Sequence, residues 1–197
     1  AIFMGGDTGS VSNIIQYITI ASTGNSFDFG NLSVGRYYAS SCSSSTRGVW
    51  MGGTTQPSPG NVNTIDYVDF ASVGTCSDFG DLGTGRQYGG GVSSSTRACI
   101  GGGSVHPGTI TNDIEYITMS STGNGTTFGD LSVSRRLLGQ QLSTNTRGVF
   151  CGGSTPSISN VMDYITISST GNASDFGDLT QARENNAMGS DSSGGLQ

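Results

Sequence analysis

Four short runs alternate β-branched or aromatic residues with polar ones, over 13–20, 64–70, 113–119 and 161–167. Their length and composition predict strands, and no useful length of chain carries the 3.6-residue period of an amphipathic helix. A small polar turn follows each run, at 22–25, 72–75, 121–124 and 169–172, always with a glycine at its third position. Glycine takes positive φ cheaply, so each turn predicts a hairpin. An aromatic-Gly-Asx-Leu block comes next, beginning at Phe29, Phe79, Phe128 and Phe176, and four residues after each Leu stands Arg36, Arg86, Arg135 or Arg183. A small-residue strand is predicted over 43–47, 93–97 and 143–147, running into an apolar strand and a Gly pair.

The Gly pairs at 5–6, 52–53, 102–103 and 152–153 head the same series of landmarks, recurring roughly every 50 residues. The chain therefore reads as one repeat domain, 1–197, of units 1–48, 49–98, 99–148 and 149–197. Each unit buries its apolar faces against its neighbours. Four short strands per unit predict an all-β architecture of propeller blades.

Read in order, Gly-Gly, a Tyr in the next strand, a bulky aromatic and an Arg before the last strand resemble the kelch repeat. Tyr17, Tyr67, Tyr116 and Tyr164 stand in the Tyr place, and Phe29, Phe79, Phe128 and Phe176 where that family usually carries Trp. The resemblance covers the whole chain and implies a kelch-like β-propeller. The wording YITI-x-STGN-x-x-x-FGDL and SSSTRGVF further resembles kelch-like repeats in structural proteins of tailed, particularly marine, bacteriophages. That implies a virion component such as a tail fibre, decoration or host-attachment protein, and a virion or extracellular location.

Ala1 occupies the phase of Gly48, and the last unit stops where a Thr-Arg and a strand should follow. Three arrangements fit: a closed four-blade ring in which 1–6 supplies a missing strand, an arc of a larger propeller, or an open array completed by another chain. The first residue is not Met, so processing or cutting from a longer chain stays open, as does a homo-oligomer.

Charge narrows the partners. Eight Lys plus Arg, all of them Arg, against fourteen acids give −6, with no basic field for a phosphate backbone, so nucleic acid is not expected. Only 11% of residues are charged against a usual quarter, which leaves a neutral, hydroxyl-rich surface. No apolar run reaches about 18 residues, so no membrane-inserted helix is expected.

Catalytic chemistry finds little support. His106 is the single histidine, no G-x-S-x-G motif appears, and the sequence predicts no enzyme and no cofactor. A propeller enzyme remains a remote alternative. Cys42, Cys76, Cys99 and Cys151 fall at four phases of the repeat and form no CxxC, so zinc is unsupported and they read as buried substitutions; a disulfide stays open. The acids of 78–81 and 175–178 are too few for calcium and read as turn acceptors. The repeated arginines read as structural, paired with nearby Asp28, Asp78, Asp130 or Asp175, as do Arg47, Arg97 and Arg147, while Arg136 breaks the pattern and reads as exposed.

Two tracts vary between units: the segments after the Gly pairs, and the residues after the unit arginines. The second tract holds Tyr37, Tyr38, Gln87 and Tyr88, and the first holds His106. These five are the candidate ligand contacts, because amphipathic aromatics stack on sugar faces while offering hydrogen bonds. The sequence thus predicts a non-enzymatic binding or structural module whose partners are host surface polysaccharide or other virion proteins. The alternative is a protein-protein scaffold using an open sheet edge.

Overall fold

The computed structural model of the chain describes residues 1–56, 60–139 and 141–189. It is all-β, and every strand pairing is antiparallel. The first sheet has three strands in the order β1 (Ile2–Met4), β2 (Ile14–Tyr17), β3 (Phe27–Asn31). The second has four: β4 (Ser40–Ser43), β5 (Arg47–Met51), β6 (Thr64–Asp69), β7 (Ser77–Asp81). Next along the chain come β8 (Arg86–Gln87), β9 (Gly90–Ser93), β10 (Arg97–Gly101), β11 (Ser104–Val105), β12 (Thr109–Ile110), β13 (Asp113–Thr118) and β14 (Thr126–Asp130). Of these, β9, β10, β13 and β14 make the third large sheet, and β8, β11 and β12 a small one ordered β12-β11-β8. The last sheet is β15 (Leu142–Ser143), β16 (Arg147–Cys151), β17 (Val161–Thr166), β18 (Ser174–Asp178).

The predicted strands at 64–70, 113–119 and 161–167 appear as β6, β13 and β17, and each pairs with the next strand across the glycine-containing turn. The predicted strand over 43–47 divides. Ser44 leaves the ladder, and its Oγ accepts the N–H groups of Thr46 and Arg47 at 3.2 and 3.1 Å. A hydroxyl that can cap a local turn competes with strand pairing. Ser94 and Thr144 do the same at 93–97 and 143–147. Each four-stranded sheet consequently takes its first strand from the end of one sequence unit and the other three from the next.

Successive large sheets pack face to face through joints of one design. In the first, Ile15, Phe29 and Leu32 meet Trp50 and Val68. In the second, Ile65, Phe79 and Leu82 meet Ile100, Ile117 and Met119, and in the third Ile114, Phe128 and Leu131 meet Phe150, Ile165 and Ile167. A fully buried arginine crosses each joint. Arg36 Nη1 donates to the carbonyls of Gly52 and Thr64, and Nη2 binds Asp66. Arg86 repeats this with Gly102, Asp113 and Glu115, and Arg135 with Gly152, Val161 and Asp163, the last at 2.5 Å. Burial lowers the pKa of Arg36 and Arg135, and the facing aspartates work against that fall. The partners are therefore acids in the middle of the next sheet, not Asp28, Asp78, Asp130 or Asp175. Arg183 is exposed, and its Nε donates to Gln181 O.

Two glycine features let the joints close. The second N–H of each Gly pair donates to the carbonyl of the unit arginine, as from Gly53 to Arg86 at 2.8 Å, and a Cβ on Gly52 would collide with that carbonyl. At the rim, the turn of each unit lies on the preceding sheet: Gly74, Gly123 and Gly171 donate to the carbonyls of Phe29, Phe79 and Phe128 at 2.7 to 2.8 Å. The glycines beneath, Gly30, Gly80 and Gly129, have φ of 148°, 146° and 155°, and a Cβ there would strike the turn backbone.

A second set of arginines braces the same faces. Arg47, Arg97 and Arg147 lie over the rings of Tyr67, Tyr116 and Tyr164, at 4.4 to 4.6 Å from the centroids. Arg47 and Arg97 also donate to Met119 O and Ile167 O of the following sheet.

The N-terminal segment joins β2, and among the described residues no strand pairs with the other edge of β1. The last sheet already holds four strands. The point at which the last unit stops, 194–197, lies outside the described residues.

Asp163→Ala strips the partner from a guanidinium that cannot reach water. It is expected to cost about 3–5 kcal/mol in urea unfolding. Arg183→Ala, with no ion pair to lose among the described residues, is expected to leave the midpoint in dilute solution unchanged.

Candidate functional site

The two variable tracts meet on one face of the molecule. The residue after each buried arginine pairs through its backbone with the segment after the following Gly pair. Tyr37 and Thr54 exchange hydrogen bonds of 3.1 and 2.9 Å, Arg136 and Ser154 exchange 3.0 and 2.8 Å, and Gln87 faces Ser104 in β8–β11. Variable residues of neighbouring units are thereby held side by side on rigid sheets.

One residue further on, the backbone turns left-handed. Tyr38, Tyr88, Leu137 and Asn185 have φ of 59°, 62°, 56° and 52°. Asn tolerates this region, whereas bulky residues adopt it at a cost, so the surrounding structure must impose it on the tyrosines. It does so by linking the four corners: Tyr88 N–H donates to Tyr38 O at 3.1 Å, Leu138 N–H to Tyr88 O at 3.4 Å, and Asn185 N–H to Leu137 O at 2.7 Å. Around these corners lies a cavity of about 340 Å³, lined among others by Tyr38, Tyr88, Leu137, Gln141, Asn185 and Asn186.

Three rings cluster across this face, with Tyr38 edge-on to Tyr37 and tilted against Tyr88. Tyr37 and Tyr38 centroids are 4.4 Å apart, as are those of Tyr38 and Tyr88. Tyr38 is half exposed, at 51%, and offers its ring to solvent. Burial, and after it the neighbouring Tyr38, raises the Tyr88 phenol above its ordinary pKa, while Arg136 pulls it the other way. Arg136 thus lies within electrostatic reach of the rings. It is half-buried, contrary to its reading as exposed, and its buried Nε has no hydrogen-bond partner among the described residues. It occupies the repeat position of Tyr37 and Gln87, which was the signal available in the sequence.

Of the five predicted contacts, Tyr37, Tyr38 and Tyr88 form this cluster, and Gln87 borders it through β8. His106 is exposed two residues beyond Ser104, and it does not line the cavity. The repeat tyrosines Tyr17, Tyr67, Tyr116 and Tyr164 stand elsewhere, edge-on to Phe29, Phe79, Phe128 and Phe176, as packing residues.

Among the described residues no group of three or more His, Cys, Asp or Glu could hold a metal ion. Asp175 accepts the Gly177 N–H at 3.0 Å, within strand β18 and not in a turn as expected. All four cysteines are free thiols; Cys42, Cys99 and Cys151 are buried, and half-buried Cys76 accepts the Ser33 N–H at 3.0 Å. No helix of the described residues is long and apolar enough to cross a membrane.

No protein-family model matches the chain, and no curated protein matches it.

Burial pushes the Cys76 thiol up to about 11 and the Cys99 thiol up to about 12. The thiolate is the reactive form, so a disulfide-exchange reagent at mildly alkaline pH is expected to titrate the folded protein far more slowly than the unfolded one. Because folding raises both values, their contribution to stability is full below the ordinary thiol pKa of 9.0. It is lost as pH climbs through the folded values, which urea midpoints across that range would report.

Proposed function

We propose that the chain is a non-enzymatic carbohydrate-binding module, built as kelch-like propeller blades and carried on a phage virion surface as a fibre, decoration or host-attachment component. The observation that carries the binding reading is the Tyr37, Tyr38 and Tyr88 cluster, of which Tyr38 and Tyr88 line the corner cavity, with Arg136 in electrostatic reach of Tyr88. Clustered phenols give sugar rings an apolar face and hydroxyl partners. Arg136, half-buried and within electrostatic reach of Tyr88, favours an acidic sugar, whose carboxylate would accept from the guanidinium. Three four-stranded sheets of one strand order, and a first sheet that repeats three of those strands, support the blade reading, and the wording of the repeats supports the virion reading. The scaffold alternative draws on the free edge of β1, to which an extended segment of a partner could add.

The test is binding of the intact protein to a panel of neutral and uronate-containing polysaccharides. Tyr38→Asn is the informative change, because Asn185 already occupies the matching left-handed corner and the fold should survive. It is expected to weaken binding by about tenfold. Arg136→Gln is expected to abolish the preference for acidic over neutral glycans and the salt dependence that goes with it. Unchanged affinity in Tyr38→Asn, or binding of no glycan in the panel, overturns the reading.

A further inference from the structure

The three joints inside the chain show what a partner must bring to either open end. On the last sheet, Phe176 is 48% exposed, where Phe29, Phe79 and Phe128 are 6%, 2% and 3%. On the first sheet, Phe3 is 54% exposed, where Trp50, Ile100 and Phe150 are 5%, 1% and 0%. Ile20 is 79% exposed against 40%, 2% and 0% for Phe70, Met119 and Ile167.

The polar parts match as well. At an internal joint such as β14 against the 169–172 turn, Gly171 N–H donates to Phe128 O, Asp130 N–H to Asn172 Oδ1 and Ala173 N–H to Asp130 O, at 2.8, 3.1 and 2.8 Å. Among the described residues nothing donates across a joint to the carbonyls of Phe176 and Asp178 in the acceptor places, and Gly24, Asn25 and Ser26 in the donor places donate no backbone hydrogen bond across one. Gly177 carries the same sign: φ is 125°, yet no turn lies on it, and a Cβ would meet only Met162 Cε at 3.9 Å. Arg147, whose counterparts donate to Met119 O and Ile167 O, points by repeat phase to the carbonyl of Ile20.

We infer that the two end faces are halves of a fourth joint, and that a second copy of this chain forms it, seating its first sheet on the last sheet of its neighbour. After three joints of one construction, the outward Phe3, Ile20 and Phe176 remain exposed, so the first and last sheets do not bury these side chains on each other. Their apolar faces stay open even though Ala1, Ile2, Gln141 and Ser143 border one cavity. A second copy brings the missing face in full, in a head-to-tail contact. At this joint Arg183 meets Gln16, which stands at the repeat position of Asp66, Glu115 and Asp163. The pair keeps an acceptor and loses the ionic attraction, so association is the weakest of the four joints and depends on concentration. The inference is independent of what the tyrosine face binds.

Sedimentation of the full chain over a concentration series tests it. The 20.1 kDa species is expected to give way to larger ones as concentration rises. Gln16→Glu restores the ion pair and is expected to lower the midpoint concentration by about tenfold. Arg183→Glu spoils one face and Phe3→Asp the other. Each is expected to stay monomeric with an unchanged circular dichroism spectrum, and an equimolar mixture to recover dimers, since one sound face of each kind remains. A 20.1 kDa species at every concentration overturns the inference, and if Gln16→Glu then raises the unfolding temperature, the chain's own ends have met. Oligomers that neither variant disrupts overturn it as well, by placing the contact elsewhere.

Discussion

A guanidinium that crosses from one sheet into the next governs this architecture. Arg36, Arg86 and Arg135 are the largest fully buried side chains, and each reaches two carbonyls and a carboxylate of the sheet ahead. A buried cation is tolerable only with partners of this kind, and here they bind the Nη groups, while each Nε goes without one among the described residues. Dispersion between apolar faces is indifferent to small slides, whereas a planar fork bound to fixed acceptors is not. The arginines thus set the spacing and rotation of the sheets, and the apolar residues supply the cohesion.

That fixed rotation also brings the variable corners together. The residues after each arginine leave the joint in one direction, so Tyr38, Tyr88, Leu137 and Asn185 converge, although about 50 residues of chain separate them. Hydrogen bonds between corners hold the rings in a backbone region they would otherwise avoid. A face assembled in this way is preorganised, and little side-chain order remains to be gained on binding.

Much of this was legible in the sequence because repetition amplifies local signals. The β-branched runs at 64–70, 113–119 and 161–167 and the glycine turns reported β6, β13 and β17 with their hairpins. Phe29, Phe79 and Phe128 were identifiable as core. The arginines were recognisable as structural, but their partners were not, because Asp66, Glu115 and Asp163 lie one unit ahead on a strand that pattern alone cannot align in space. The Ser-Ser-Thr stretches read as strand because small β-formers and local turn acceptors are the same residues. A charged residue off the repeat pattern is usually solvated, whereas Arg136 is half-buried, its backbone paired with Ser154. Tyr37, Tyr38 and Tyr88 stood out through their variability, and their clustering came only with the fold.

The rim seats, where a glycine turn rests on the glycine of the sheet before it, carry a consequence for growth. Adding a unit covers one seat and creates an identical one, so the number of uncovered faces is the same before and after. Each addition also contributes the same increment of cohesion, since only nearest neighbours touch. Duplication of a unit therefore needs no new interface to be invented. The fold fixes the grammar of the joint and leaves the number of units free.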